Sequence, residues 1–456
     1  MNLKCYKFVR GIAIFVFSCL FLTLTLTAQT SGTEKKPAPA VEKKAGGKEL
    51  GVQWPAWFQP TMAIRGRWEQ PWGRGYAQHN EDLYYLVRFA IGAKITANRN
   101  LNFFVMGQDT RVWFYNDLKG RPRGMKDTFD LRQLYMDVHG KQGKTTLALR
   151  VGRQYLDFGS RRMVAVPGWG NSTAVYDATR FSAAGSSFKV DLFASARVYD
   201  IFTYKFNRSR PGDNLYGVYT EFNKLIPHSR LEPYVYWRTQ PLVSGERGDK
   251  GDSDLWSYGV RWIGKLPAGV DYSLEEVLQK GSYASDRIIA FGMIYQIGYQ
   301  FGAAKWKPRI GMDLNYASGD KAKGDGKRGT FDQLYPSNHN VFGMADQVGW
   351  RNLLHWKWFL ECTPRTNLKL ILTLNNMYLA TLQDGLYNSS GSVVVRNPKA
   401  TSRHIGWEPD MQLDYSFSKK LTAGVGIARL FPGKFLTQST PGHAYTYPCF
   451  MWEYKF

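Results

Sequence analysis

The chain has 456 residues, a formal net charge of +23, 44% hydrophobic and 15% aromatic residues, and a mean hydropathy of −0.38. A chain that is polar on average yet rich in large rings suits strands with one apolar face better than apolar helices. Beyond residue 30 no apolar run approaches the roughly 20 residues that a spanning helix needs, which excludes a helical membrane protein.

At the N-terminus Lys4, Lys7 and Arg10 precede an apolar run from Ile12 to Leu26, and Ala28 is a cleavage point. That order predicts a signal peptide over 1–28 and export from the cytoplasm. "VFS" before Cys19 resembles a lipoprotein site only faintly, since Phe17 fits poorly. Residues 29–55 are rich in Lys, Glu, Pro, Ala and Gly, cannot bury a core, and read as a flexible periplasmic tail. Without the signal only Cys362 and Cys449 remain, too few for a disulfide framework.

Over 56–456 polar and apolar positions alternate in segment after segment: "FKVDLFASARVY" (188–199), "LYGVYTEF" (215–222), "LWSYGVRWIG" (255–264), "RIGMDLNYA" (309–317) and "MQLDYSF" (411–417). A period of two marks strands with one greasy and one wet face. Short connections at 96–100, 140–144, 183–187, 265–269, 363–367 and 418–420 interleave with long polar stretches. The long ones fall near 70–83, 115–128, 156–176, 200–213, 240–254, 318–348, 382–402 and 432–443. That alternation predicts an all-β fold: one transmembrane antiparallel up-and-down β-barrel of about 18 strands, with short periplasmic turns and long extracellular loops. The chain ends on Phe450, Trp452, Tyr454 and Phe456 at alternate positions, an apolar face whose solvent is lipid. The expected location is the outer membrane of a Gram-negative-type bacterium, in contact with its lipid and lipopolysaccharide.

The parity opposite the apolar set lists the lumen. Arg65, Arg67 and Glu69 alternate with Ile64, Gly66 and Trp68, and Arg88 and Lys94 oppose Val87 and Phe89. The same count assigns Asp109, Arg111, Arg197, Arg238, Arg261, Arg309, Arg351 and Lys357 to the wet face. Asp137, Glu221, Glu232, Asp313, Glu361, Glu408 and Asp414 share it, so cross-strand ion pairs bracing the interior are one reading. Residues 1–50 hold eight Lys/Arg and three Asp/Glu, so +5 of the +23 lies there and about +18 remains with the barrel. A narrow channel carrying that surplus draws anions, and guanidinium groups bind carboxylates bidentately.

Two stretches resemble the alginate export outer-membrane proteins. One is "GTFDQLYPSNHNVFGMADQVGWRNL" (329–353); the other is "LRVGRQYLDFGSRRMVAVPGWGNSTAVYDATRF" (149–181). Ser160 and the step Tyr176-Asp177-Ala178 depart from that pattern. The resemblance implies a monomeric eighteen-stranded barrel with an arginine-lined conduit for an acidic polysaccharide. Arg65, Arg88, Arg111, Arg132, Arg150 and Arg153 become conduit residues by it, although parity conflicts for Arg132 and Arg153 unless a bulge intervenes. Within loop 318–348, Asp332, Asn338, His339 and Asp346 could knit a lid or gate.

The seven histidines show no nucleophile or metal spacing, so no catalysis, metal or cofactor is expected. Cations that alternate inside a pore do not stripe a face for nucleic acid. The expected partners are an acidic polysaccharide or anionic solute and a periplasmic polysaccharide synthesis complex. An anion-selective porin for small acidic solutes or oligosaccharides is the main alternative, and a barrel hydrolase a lesser one.

Overall fold

The computed structural model describes residues 48–49, 52–114, 124–200 and 206–456. The expected signal peptide 1–28 lies outside the described residues, as does most of the expected tail 29–55.

Among the described residues eighteen long strands close into one antiparallel barrel. The first six are β1 (Phe58–Glu69), β2 (Tyr84–Asn98), β3 (Leu101–Trp113), β4 (Asp127–Gln142), β5 (Thr145–Gln154) and β6 (Val175–Ala184). Next come β7 (Phe188–Tyr199), β8 (Arg208–Phe222), β9 (Ser229–Ser244), β10 (Lys250–Lys265), β11 (Val270–Tyr283) and β12 (Asp286–Gln300). The circuit ends with β13 (Arg309–Ala317), β14 (Leu353–Arg365), β15 (Leu368–Leu379), β16 (His404–Ser416), β17 (Leu421–Pro432) and β18 (Tyr445–Lys455). Each pairs with its neighbours in sequence, and β18 pairs with β1 from Cys449↔Glu69 to Lys455↔Ala63. No helix among the described residues is long and apolar enough to cross a membrane; the strands are the spanning elements.

The alternation resolves into two faces. Phe103, Val105, Leu149, Val151, Leu192, Val218 and Phe450 point outward and are exposed, a band that only lipid can solvate. Trp452 lies over Gly66 on β1, where an added Cβ would collide with the indole ring, so glycine seats that aromatic at the closing seam. The Phe456 amide then donates to the Met62 carbonyl at 2.9 Å.

The loop alternation holds with two corrections. Residues expected in a long connection at 240–254 mostly extend β9 and β10, leaving 245–249 as the loop. Between β11 and β12 the connection at the long-loop end is only Ala284-Ser285, a tight hairpin with Ala284 at φ 52°. At the other end 223–228 and 301–308 complete the short turns. Cys362 and Cys449 are both free thiols.

Gly66→Val should displace Trp452 and weaken the β18–β1 seam by about 1–3 kcal/mol. Thermal unfolding in detergent micelles reads this, and an unchanged midpoint would show that the glycine does not seat the ring.

Candidate functional site

Two long loops turn into the barrel. Residues 155–174, between β5 and β6, and 318–352, between β13 and β14, meet inside along their backbones. The Tyr335 amide donates to the Met163 carbonyl at 2.9 Å, the Ala165 amide to Tyr335 at 3.0 Å, and the Ser337 amide to Arg161 at 2.9 Å. Trp169 stacks on His339 with ring centres 3.8 Å apart and planes 8° from parallel. His339 Nδ1 in turn sits 2.9 Å from Asp346 Oδ2.

The arginines of β1 and β2 grip the first of these loops. Arg65 faces Arg88 across the β1–β2 ladder and Glu453 across the β18–β1 ladder. Arg65 donates to the carbonyls of Gly168 at 2.6 Å, Trp169 at 3.2 Å and Gly170 at 2.9 Å, and to Asn171 Oδ1 at 3.3 Å. Arg67 also donates to the Trp169 carbonyl, pairs with Glu69, and lies 4.2 Å from the Trp169 ring centre. Arg88 reaches the Gly170 carbonyl and Glu453, each at 3.4 Å. Three guanidinium groups therefore converge on one strip of main-chain oxygens, where backbone dipoles stand in for anionic ligands. Lys94 shares the inward register lower on β2 and is exposed.

Many of the remaining inward cations are neutralised in a belt of ion pairs between nearby strands. Arg150 pairs with Asp137 at 2.7 Å, Arg180 with Asp191 at 2.8 Å, and Lys189 bridges Asp191 and Glu221 at 3.2 and 3.4 Å. Arg261 meets Glu232 at 2.9 Å, Lys357 meets Asp313 at 3.0 Å, and Lys369 meets Glu361 at 3.5 Å. Arg309 pairs with Asp271 at 2.6 Å. Glu408 is buried and accepts the Ala345 amide at 2.9 Å, and Asp414 accepts from Gln412 at 2.9 Å. This belt is the bracing arrangement that mixed charge on one parity allows.

Arg132 is the extra residue of a bulge in β4, between Leu131 (opposite Gly107) and Gln133 (opposite Met106). The bulge turns it inward, where it is buried beside Ser172 and Thr173, 3.8 Å from Asp127 and 3.7 Å from Asp200. Arg197 points inward over Tyr335, 4.6 Å from its ring centre.

Four expectations are corrected. Asp109 and Arg111 stand opposite Phe89 and Val87, on the outward parity, and pair with each other at 2.6 Å. They lie near the long-loop end of β3, where the outer face leaves hydrocarbon for the interface and polar residues find water. Arg153 also faces outward, opposite Leu134, and pairs with Asp177 at 2.8 Å; no bulge intervenes between Leu134 and Gln142 to reverse it. Arg351 lies two residues before β14 begins, in the long loop rather than on a strand.

That loop is knitted through the expected residues. Asp332 accepts both Nη atoms of Arg238, at 3.2 and 2.8 Å, and lies 3.0 Å from Arg351. Asn338 donates to Gln333 Oε1 at 2.8 Å and to the Ser389 carbonyl at 3.2 Å. Burial alone would push the Asp332 carboxyl up, but Arg238 and Arg351 hold it well below the ordinary carboxylate range.

Sequence reasoning missed the apolar sector of the lumen. Phe193, Tyr219, Tyr234 and Tyr236 point inward and are buried with the loop residues Phe158, Phe331, Leu334 and Tyr335. Phe158 stacks on Phe193 at 5.1 Å and on Tyr219 at 5.3 Å. The signal was present, since Tyr234 and Tyr236 share parity with Glu232 and Arg238. Among the described residues no group of three or more His, Cys, Asp or Glu could hold a metal ion.

Because the Asp332 carboxyl is depressed in the folded chain, its clamp stabilises the loop above the ordinary carboxylate pKa and is lost only as pH falls below that range. Limited proteolysis of loop 318–352 should thus not increase between pH 7 and about pH 4. The other shifted carboxyl of the loop, Asp320, is raised by burial and favours the folded loop as it protonates. Asp332→Asn leaves Arg238 buried against a neutral amide, a cost of roughly 3–5 kcal/mol, and should expose the loop to protease at pH 7. Wild-type cleavage that rises already at pH 5 would contradict the clamp.

The barrel shares its fold with solved outer-membrane porins. It superposes on Pseudomonas aeruginosa OpdO with a TM-score of 0.60 at 9% identity, over 88% of this chain and 97% of that one. The outer membrane protein opdK from Pseudomonas aeruginosa gives 0.60 at 8%, over 88% and 98%. Pseudomonas aeruginosa OccK8 (OprE) gives 0.57 at 12%, over 88% and 98%. No curated protein sequence matches the chain. A closed barrel with a lipid-facing apolar band and this fold is an outer-membrane protein. The family model described as alginate export matches residues 55–449, nearly the whole barrel, and the chain belongs to that family.

Proposed function

We propose that the barrel is a channel passing an acidic polysaccharide, an alginate-like polyuronate, out of the periplasm. The observation that carries this reading is the convergence of Arg65, Arg67 and Arg88 on the carbonyl strip at 168–170. A carboxylate accepts from the same N–H donors with a full charge, and charge-assisted bonds are about twice as strong as neutral ones. A uronate residue can therefore replace the loop carbonyls one at a time, and the loop withdraws as the polymer advances. Membership of the alginate export family supports the polymer and the direction. Such a channel performs no chemistry, so a periplasmic synthesis complex supplies the polymer.

A second reading is uptake of small acidic solutes through an anion-selective pore. Two inserted loops leave less room for a chain than for a small molecule, and Pseudomonas aeruginosa OpdK, of similar fold, was solved with vanillate. Size separates the two: a polyuronate of tens of residues should block single-channel current under the first reading and leave it unaffected under the second.

In planar bilayers the protein should be anion-selective. Gln at both Arg65 and Arg88 should cut polyuronate block about tenfold or more, since each lost charge-assisted bond is worth roughly 1.5–3 kcal/mol. Arg111→Glu should leave selectivity near the wild-type value, because that side chain faces outward. Cation selectivity in the wild-type protein would sink the proposal.

A further inference from the structure

The two ends of the barrel differ in charge. Eight short connections close one end, at 99–100, 143–144, 185–187, 223–228, 266–269, 301–308, 366–367 and 417–420. They contain seven lysines and arginines and no Asp or Glu. At the opposite end Glu81, Asp157, Glu246, Asp325 and Asp384 are interleaved with the cations of the long loops. Lys144, Lys224, Lys265, Lys305, Lys307 and Lys419 are exposed at the short-turn end, and among the described residues none of the six is placed against a carboxylate.

Large apolar side chains sit between these cations. Leu225 is 64% exposed, Phe417 62% and Trp306 51%, and Leu266 and Phe301 are exposed beside them. Lys305 Nζ lies 5.8 Å from the Trp306 ring centre. A purely aqueous mouth solvates the ammonium groups but leaves the apolar side chains in water, an exposed patch with no solvent of its own. The interface of a leaflet solvates both: rings and Leu chains enter the acyl boundary, lysine stems follow them, and the ammonium groups stop at phosphate depth.

We infer that the short-turn end is a binding collar for anionic glycerophospholipid headgroups, whose phosphates neutralise these six exposed lysines. Cations near an anionic lipid surface each contribute about 1 kcal/mol, and the attraction decays within a Debye length. Several such cations spaced around a ring hold several lipids, each weakly. The collar lies outside the lumen and stands whether or not the barrel conducts a polyuronate.

The test uses the full folded chain in neutral detergent micelles, titrated with phosphatidylglycerol or phosphatidylcholine, with retained lipid counted by native mass spectrometry. Several phosphatidylglycerol molecules should be retained under conditions that strip phosphatidylcholine, and raising the salt from 50 mM to 500 mM should abolish the preference. The variant with Lys305, Lys307 and Lys419 changed to Gln should lose about tenfold or more in phosphatidylglycerol affinity. Far-UV circular dichroism checks that its barrel is intact, and the salt dependence of the wild-type protein tests the collar even if that variant misfolds. Equal retention of the two lipids would overturn the inference. So would binding of a fluorescent oligouronate in micelles that the variant loses while lipid retention does not change, since the collar would then gather polymer rather than lipid.

Discussion

Every backbone N–H and C=O that crosses a hydrocarbon layer needs a partner inside the protein, because an unpaired group there costs several kcal/mol. Eighteen strands meet that demand only when the last pairs with the first, so the β18–β1 seam decides whether the barrel has an edge. The terminal aromatics are therefore more than a greasy tail: Trp452 over Gly66 and Phe450 opposite Trp68 build the seam on its lipid side. On the lumen side Glu453 stands opposite Arg65 and reaches Arg88 beyond it, so the same strand also positions the cations that hold the inner loop.

Closure creates a second problem, an interior wider than strand side chains alone can fill. The chain fills it with its own loops. One sector is apolar, with Phe158, Phe331 and Tyr335 packed on inward Phe193, Tyr219 and Tyr236. The other is polar, with the carbonyls of 168–170 against arginines. The two differ in what they permit. Displacing packed rings exposes apolar surface to water, whereas exchanging a carbonyl for a carboxylate keeps every guanidinium satisfied. If anything moves to open a path, the arginine side is where motion costs least.

Net charge proved a poor guide to where the field acts. Many lumenal cations are cancelled in the ion-pair belt, from Arg150–Asp137 to Lys369–Glu361. Much of the uncancelled charge sits at the short-turn rim, outside the bore. The surplus thus speaks to the surface that the barrel meets as well as to what passes through it.

The sequence by itself determined the fold class, the strand number, most turns and the inward parity of Arg65, Arg67, Arg88, Arg150, Arg197 and Arg261. Period-two alternation is a local property, and lipid on one side makes it strict. It erred at Asp109 and Arg111, because the rule that polar means inward fails where the outer face reaches the interface. At Arg153 the alternation already pointed outward, and only the family resemblance placed it in the conduit. Only tertiary structure decided that Arg132 turns inward, since a bulge is a mismatch between two strands and neither shows it alone. It also decided what the arginines touch. Gly168, Trp169 and Gly170 are about a hundred residues from Arg65 along the chain, and nothing local marks a backbone strip as the partner of three guanidinium groups.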